Sequence, residues 1–482
     1  MSEVANYKKL IAAIGAFLFI SPNLNIPESI LSYCGISDHS TIKLISVGIF
    51  CVLDVLLVLA FLKTRPKAKT FLLLVIFNAI YILPHVINRD LTVIMQYGLF
   101  IVPTTVFAVM LSGEDDIKQK FYDYLRIAAR VLMVIAVIYI LMLYISEDRN
   151  DYGMITIKNM TYGDMAYLFL TGYVVSIVEL VERRSPLSFI GLIIFSLAIF
   201  FAGARSAIMC IIFAAILLVF TLLISKMGKK RVMFALLALV ITIGTIAIGM
   251  VIIPDGSRLE VINKDDSSNI SVENLIPETR KTKAKVFKVI YVPTGEKRRI
   301  YDIYEEEILN NDCKKSETEA KLREDFKSGR CEYIKLVEEN PDDRNRVEKY
   351  FIRMNRDYLW KAAYKEFKKN PVLGNGPCYF KNKYDNYFPH NVLLEAMVDY
   401  GIVGLVLFSA LGLYCFIKGL RYCMQSKSIN VLLIFLLLFS HLPRYLLYTT
   451  IYCNATLAMT VVFYIALGKL AKNERKDPEL DK

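Results

Sequence analysis

Long apolar runs separated by short charged ones make up most of this chain. A hydrocarbon core about 30 Å thick takes ~20 apolar residues of helix to cross. Runs of that kind lie near 8–26, 41–62, 70–87, 91–111, 122–145, 163–181, 186–203, 206–225, 232–253, 391–418, 429–447 and 449–469. The pattern predicts an all-α polytopic membrane protein with about twelve transmembrane helices. The first run follows Lys8 and Lys9, as in a signal peptide, but no small-residue cleavage site leads into a soluble domain, so it reads as a retained span.

Residues 254–389 break the pattern. A stretch of about 135 residues is too long for an idle connector, and its mixed, roughly balanced charges predict a separate loop domain. Apolar and polar residues alternate over 285–292, turn at Pro293 and Gly295, and alternate again over 299–304, which predicts a β-hairpin. Helical periodicity follows at 316–328 and 344–369. The second helix carries an apolar stripe of Val347, Phe351, Met354, Tyr358 and Ala362, and a separate one of Arg346, Lys349, Arg353, Arg356 and Trp360. Asn370 and Pro371 end it, and a turn through Gly374, Asn375, Gly376 and Pro377 leads back to the membrane. The expected organisation is membrane helices 1–9 over 1–253, the loop domain over 254–389, helices 10–12 over 390–470 and a tail over 471–482.

Charge adds orientation. Basic clusters at Lys63 to Lys69, at Arg183 and Arg184, at Lys226 to Arg231, over 418–427 and after Lys469 fall on one side of an alternating chain. Excess Lys and Arg in short loops marks the cytoplasmic side. The chain is therefore expected to be a multi-pass protein of the cytoplasmic membrane, with both termini cytoplasmic and with 203–206, 146–162 and 254–389 outside. With 55% hydrophobic residues and a mean hydropathy of +0.42, the formal charge of +12 is mostly this asymmetry. The cytoplasmic loops are too short to form a nucleic-acid surface, so no nucleic-acid partner is expected. Nine cysteines contain no CxxC pair, so neither a zinc site nor a disulfide framework is indicated; one bridge among Cys313, Cys331 and Cys378 stays open.

Candidate chemistry gathers where the loop re-enters the membrane. His390 follows Tyr379, Phe380, Tyr384, Tyr387, Phe388 and Pro389, and precedes Asn391 and a helix containing Glu395, Asp399 and Gly401. An imidazole, titrating ordinarily near ~6.5, can take a proton from an attacking hydroxyl; it can also simply cap or pack a helix start. Glu395 and Asp399 stand four residues apart inside a span, where carboxylates are costly. They could orient His390, bind a sugar hydroxyl or pair with Arg444. Tyr387 and its aromatic neighbours offer flat faces to sugar rings, or sit at the interface as tyrosine commonly does. Arg205 opens a span after Gly203 and Ala204, a reasonable anion site at a helix N-terminus or a snorkelling interface arginine. Arg444 lies in the outer half of a span where Pro443 is expected to break the helix.

These residues resemble the O-antigen ligase and Wzy-type polysaccharide polymerase superfamily. The turn through Gly203, Arg205 and Ser206 is similar to that family's Gly-x-Arg or Ser-Arg turn after a span. Arg356 to Trp360, followed by Asn370, Pro371, Gly374 and Gly376, resembles the end of its large external loop. His390, Asn391, Leu394, Glu395, Gly401 and Gly404 resemble its His-Asn-x-x-Leu-Glu to Gly-x-x-Gly segment. The order, spacing and common side of these pieces carry the match over most of the second half of the chain.

The resemblance implies a GT-C-like, inverting, metal-independent glycosyltransferase that needs no cofactor. Donor and acceptor would be glycans on undecaprenyl diphosphate, in contact with membrane lipid, at the outer face. Arg205 and Arg356 would bind the donor diphosphate and His390 would act on the acceptor hydroxyl; Arg353 and Arg444 are added here as further phosphate contacts. Glu395, Asp399, Asn391, Gly374, Gly376 and Tyr387 would support the glycan site. A chain-length regulator and a flippase of the same pathway are the implied protein partners. Polymerase is the favoured activity, for O-antigen, capsule or exopolysaccharide, with ligase as the alternative. A lipid-linked glycan flippase or transporter is the rival class, but its usual internal repeat is not visible.

Overall fold

The computed structural model describes residues 2–20, 25–36, 38–63, 97–111, 115–145, 162–252, 286–293, 331–339, 357–383 and 388–447, with a few single positions between 75 and 95. The first half supplies α1 (Ser2–Ile20), α2 (Asn25–Tyr33), α3 (His39–Lys63), a π-helical turn at Tyr97–Ile101, α4 (Val102–Leu111), α5 (Asp115–Ile145), α6 (Tyr162–Arg183), α7 (Pro186–Phe201), α8 (Arg205–Ser225) and α9 (Lys229–Val251). The second supplies strands β1 (Val286–Pro293) and β2 (Cys331–Glu339), then α10 (Asp357–Phe367), α11 (Tyr379–Lys383), α12 (Val392–Ser426), α13 (Ile429–Phe439) and α14 (Leu442–Leu447).

Seven helices among the described residues are long and apolar enough to cross a membrane: those at Ser40–Leu62, Gln119–Ile145, Gly163–Arg183, Arg205–Ser225, Lys229–Val251, Val392–Ser426 and Ile429–Leu447. Of the remaining expected spans, α7 is a shorter apolar helix of 16 residues. The run at 70–87 is described only at single positions, and the run at 449–469 lies outside the described residues. Helix α6 is the hub, packed against α5, α7, α8, α9 and α13. Tyr173 at its centre is fully buried and bonds the hydroxyl of Thr242 on α9 at 2.8 Å. By contrast α3, α5, α9 and α12 turn Leu44, Val55, Val134, Ile138, Val240 and Leu407 outward. Apolar helix faces of that kind are stable where lipid covers them.

The two ends of the bundle differ in chemistry. One end holds the arginine-rich turn after α6, the lysine-rich turn before α9 and the turn between α12 and α13; there Arg184 stacks on Phe234 at 5.3 Å. Beside it Arg126 pairs with Glu182 at 2.6 Å, and Arg130 and the Ser188 hydroxyl (2.9 Å) both bond Glu179, locking α5, α6 and α7 together. At the other end the Tyr144 hydroxyl donates to the Ile252 carbonyl at 2.7 Å, and the starts of α8 and α12 lie on the same side.

The loop strands depart from the expected hairpin. β1 forms where alternation predicts it, but its antiparallel partner is β2, in register from Val286 opposite Glu339 to Val292 opposite Tyr333, with a shift that sets Pro293 opposite Cys331. Eight residues find nine in β2, whereas 299–304 would offer six; those six lie outside the described residues, as does the helix expected at 316–328.

Candidate functional site

Helix α12 is broken near its start, and the break is what seats the loop. Gly401 takes φ 68° and ψ −162°, a combination open essentially to glycine alone. In a continuous helix the Ile402 and Val403 N–H groups would donate to the Val398 and Asp399 carbonyls. Here all four groups pass to the returning loop. Ile402 N donates to Pro371 O at 2.9 Å and Val403 N to Val372 O at 3.4 Å, while Asn375 N reaches Val398 O at 3.0 Å and Gly376 N reaches Asp399 O at 2.9 Å. The amide of Asn375 adds bonds to Val398 O at 3.0 Å and to Glu366 O at 3.1 Å. Gly374, at φ 75°, lies so close to the Asp399–Tyr400 peptide that a β-carbon there would collide with it. Gly374 and Gly376 thus hold the loop on the helix.

Asp399 belongs to the same latch. Its side chain is 1% exposed and its Oδ2 accepts from the Cys378 N–H at 3.0 Å, so it binds the loop. Cys378 itself is buried. Glu395, also 1% exposed, sits one turn from the helix start. Among the described residues neither carboxylate pairs with Arg444, whose guanidinium instead lies over the ring of Tyr167.

The start of α12 fixes His390. Asn391 is the N-cap, its Oδ1 accepting from Leu393 N at 2.9 Å and Leu394 N at 3.1 Å. His390, one residue earlier, is held in the left-handed region at φ 55° with its ring 4.3 Å from that of Phe388. Trp360 of α10 donates from Nε1 to the Pro389 carbonyl at 2.9 Å. The helix that follows Arg356 in sequence is therefore bonded to the residue before His390.

Three further pieces converge at this end. Gly203, at φ 71°, lets α7 turn into α8 through only Ala202, Gly203 and Ala204, and Arg205 is the first residue of α8. Ala204 gives no side-chain cap, so the N-terminus of α8 keeps its attraction for negative charge. Ser206 exchanges a 2.7 Å hydrogen bond with the Tyr167 hydroxyl of α6. The other face of the Tyr167 environment is α14: Arg444 stands 3.9 Å above its ring and His441 5.9 Å away. As expected, the span at 429–447 breaks, with α13 ending at Phe439 and Pro443 sitting in the first turn of α14, where its missing N–H costs nothing. Tyr445 then packs against Val392 and Ala396, joining α14 to the helix that His390 precedes.

One buried charge cluster escaped sequence reasoning. Glu366, 0% exposed, accepts from Lys383 Nζ at 2.9 Å, Lys369 Nζ at 3.0 Å and the Tyr379 hydroxyl at 2.8 Å, tying α10 to α11. Burial opposes its ionisation, but the bonds from Lys383, Lys369 and Tyr379 outweigh that and hold its carboxyl down at about 2. The residue is one more charge in a polar helix by sequence, and only folding back of 379–383 reveals it.

The structure thus brings Arg205, Arg444, His390, Asn391, Glu395, Asp399, Gly374 and Gly376 to one end of one bundle. Arg353, Arg356 and Tyr387 lie outside the described residues, as do Tyr384, Cys313 and the strand expected at 299–304. Among the described residues no group of three or more His, Cys, Asp and Glu side chains could hold a metal ion.

An apolar helical bundle with a loop latched over one end, and arginines and a histidine gathered there, defines a polytopic membrane protein. Residues 190–409 match the family model described as O-antigen ligase, which supports the O-antigen ligase/Wzy superfamily read from the sequence. The matched segment runs from α7 through the first half of α12 and includes both Arg205 and His390. Comparison with curated proteins and with solved structures gave no match.

Proposed function

We propose that this protein is a polymerase that joins undecaprenyl-diphosphate-linked oligosaccharide repeat units at the outer face of the cytoplasmic membrane. The observation that carries this reading is the meeting of the Arg205 turn, Arg444 and the capped His390 at the end of the bundle opposite the Lys/Arg-rich turns. Positive loops favour the cytoplasmic side, so that end faces out, both termini face in, and membrane lipid delivers both substrates. The family match supports glycan-transfer chemistry in general.

In this mechanism the acceptor sugar hydroxyl attacks the anomeric carbon of the donor. The new carbon–oxygen bond forms on the face opposite the leaving group, and the lipid diphosphate departs with the electron pair of the broken bond. His390 takes the hydroxyl proton, a contribution typically worth about 10²–10⁴ in rate. Arg205, Arg356, Arg353 and Arg444 stabilise the charge that grows on the diphosphate. No step calls for a metal ion or cofactor. Ligation of a finished glycan to a separate acceptor uses the same chemistry, and the match to the O-antigen ligase family favours it as the second reading.

Purified protein incubated with lipid-linked repeat units decides. Dimers and longer products that vanish in His390→Ala and Arg205→Ala, at unchanged protein yield, support polymerase. Products formed only when a non-lipid-diphosphate acceptor is added support ligase. In cells, single units stranded inside the membrane in His390→Ala would instead point to a flippase. Unchanged polymer in both variants would sink the catalytic assignment.

A further inference from the structure

Tyr167 is absent from every sequence signal and lies outside the matched segment, yet it is the joint between the two arginine-bearing pieces of the site. Its ring carries the Arg444 guanidinium at 3.9 Å, and its hydroxyl bonds Ser206, the neighbour of Arg205, at 2.7 Å. Arg444 is partly buried and, among the described residues, has no carboxylate to neutralise it. Its Nε is enclosed and meets no hydrogen-bond acceptor among them. A guanidinium held on an aromatic face with its Nε unsatisfied among the described residues is poised for a negatively charged ligand.

We propose that Tyr167 is a positioning residue that sets Arg444 against the Arg205 turn, so that the two arginines grip one diphosphate. The ring fixes where the Arg444 plane lies, and the bond to Ser206 fixes the ring relative to α8. α6 is the most enclosed of the membrane-length helices, which makes it a rigid base for such a joint. His441, 7% exposed, lies with its ring 5.9 Å from that of Tyr167. This inference rests on the diphosphate reading above and adds the residue that gives the site its spacing.

The test measures binding of a short-chain polyprenyl diphosphate, and of the same polyprenol without phosphate, to full-length protein in detergent. The readout is the ratio of the two affinities, which isolates the charged part of binding from the lipid tail. Tyr167→Leu should lower that ratio about tenfold through loss of the cation–π platform. Tyr167→Phe, which keeps the platform and loses the Ser206 bond, should lower it only about threefold. Arg444→Ala combined with Tyr167→Leu should be no worse than Arg444→Ala alone, because one acts through the other. In turnover assays Tyr167→Phe should raise the KM for lipid diphosphate more than it lowers kcat.

Additive losses, or a Tyr167→Phe ratio equal to wild type, would overturn the positioning role. If Tyr167→Leu does not purify as a monodisperse protein, the Tyr167→Phe ratio alone decides by the same criterion. Wild-type protein that binds diphosphate no better than polyprenol would fail the diphosphate reading itself. Intact diphosphate binding in wild type with unchanged Tyr167 variants would fail this inference alone.

Discussion

Replacing Gly401 with alanine should release the loop from the membrane bundle. A residue other than glycine at φ 68° and ψ −162° is strained by about 1–3 kcal/mol. Its β-carbon would also run into the Val372 carbonyl. Relief means moving the loop away, which gives up the Ile402–Pro371 and Val403–Val372 bonds, each worth a net ~0.5–1.5 kcal/mol. Whether the strain is borne or the bonds are given up, the docked state loses about 1–3 kcal/mol, a roughly fivefold to hundredfold shift in the docked population. Lys365, Lys368 and Lys369 are exposed on α10 and the turn after it, so trypsin reports undocking directly. Cleavage there should quicken roughly fivefold or more and glycan elongation should fall, while the helical content of the bundle stays as in wild type. Gly412, in the same helix with open space around it, is the internal control: Gly412→Ala should leave cleavage unchanged or slower, since alanine is the better helix former. Wild-type cleavage rates and melting in Gly401→Ala would refute the claim that the backbone latch holds the loop.

Two other outcomes follow from the same region. Glu366 has its carboxyl lowered from 4.5 to about 2, so the stabilisation it gives is complete above its unfolded value and is lost as pH falls from 4.5 toward 2. After allowance for solvent screening this is on the order of 1–3 kcal/mol; melting curves across that window should drop more steeply in wild type than in Glu366→Gln, and parallel curves would contradict the cluster's role. Asn391→Ala should cost about 1 kcal/mol through loss of the helix cap, and Asn391→Ser should restore most of it; equal melting of all three proteins would show that the cap does not set the start of α12.

Much of the bundle could be read directly from the chain because apolar length and charge asymmetry are local properties. The starts of α8 and α12, the break before Pro443 and the return turn after Asn370 all carry glycine, proline or capping residues at the places where they are needed. Partners are a different matter. Asp399 looks like a costly intramembrane acid by sequence, and only the broken helix shows that its Oδ2 accepts from the Cys378 amide. Tyr167 looks like any interfacial tyrosine until α8 and α14 close around it. β1 announces itself by alternation, but alternation does not name a partner, and β2 takes the place expected for 299–304.

The latch at Gly401 has a consequence for what this segment can tolerate. Its bonds run from main chain to main chain at Pro371, Val372, Gly376, Val398, Asp399, Ile402 and Val403, so they do not depend on which side chains occupy 372 and 373. Val372 and Leu373 point outward, 60% and 74% exposed, and are free to change. The spacing is not. One residue added or removed between Pro371 and Gly376 would slide Gly374 out of a place where a side chain cannot fit, and would throw every later bond out of step. This stretch is a ruler: it can be rewritten in letters, but not in length.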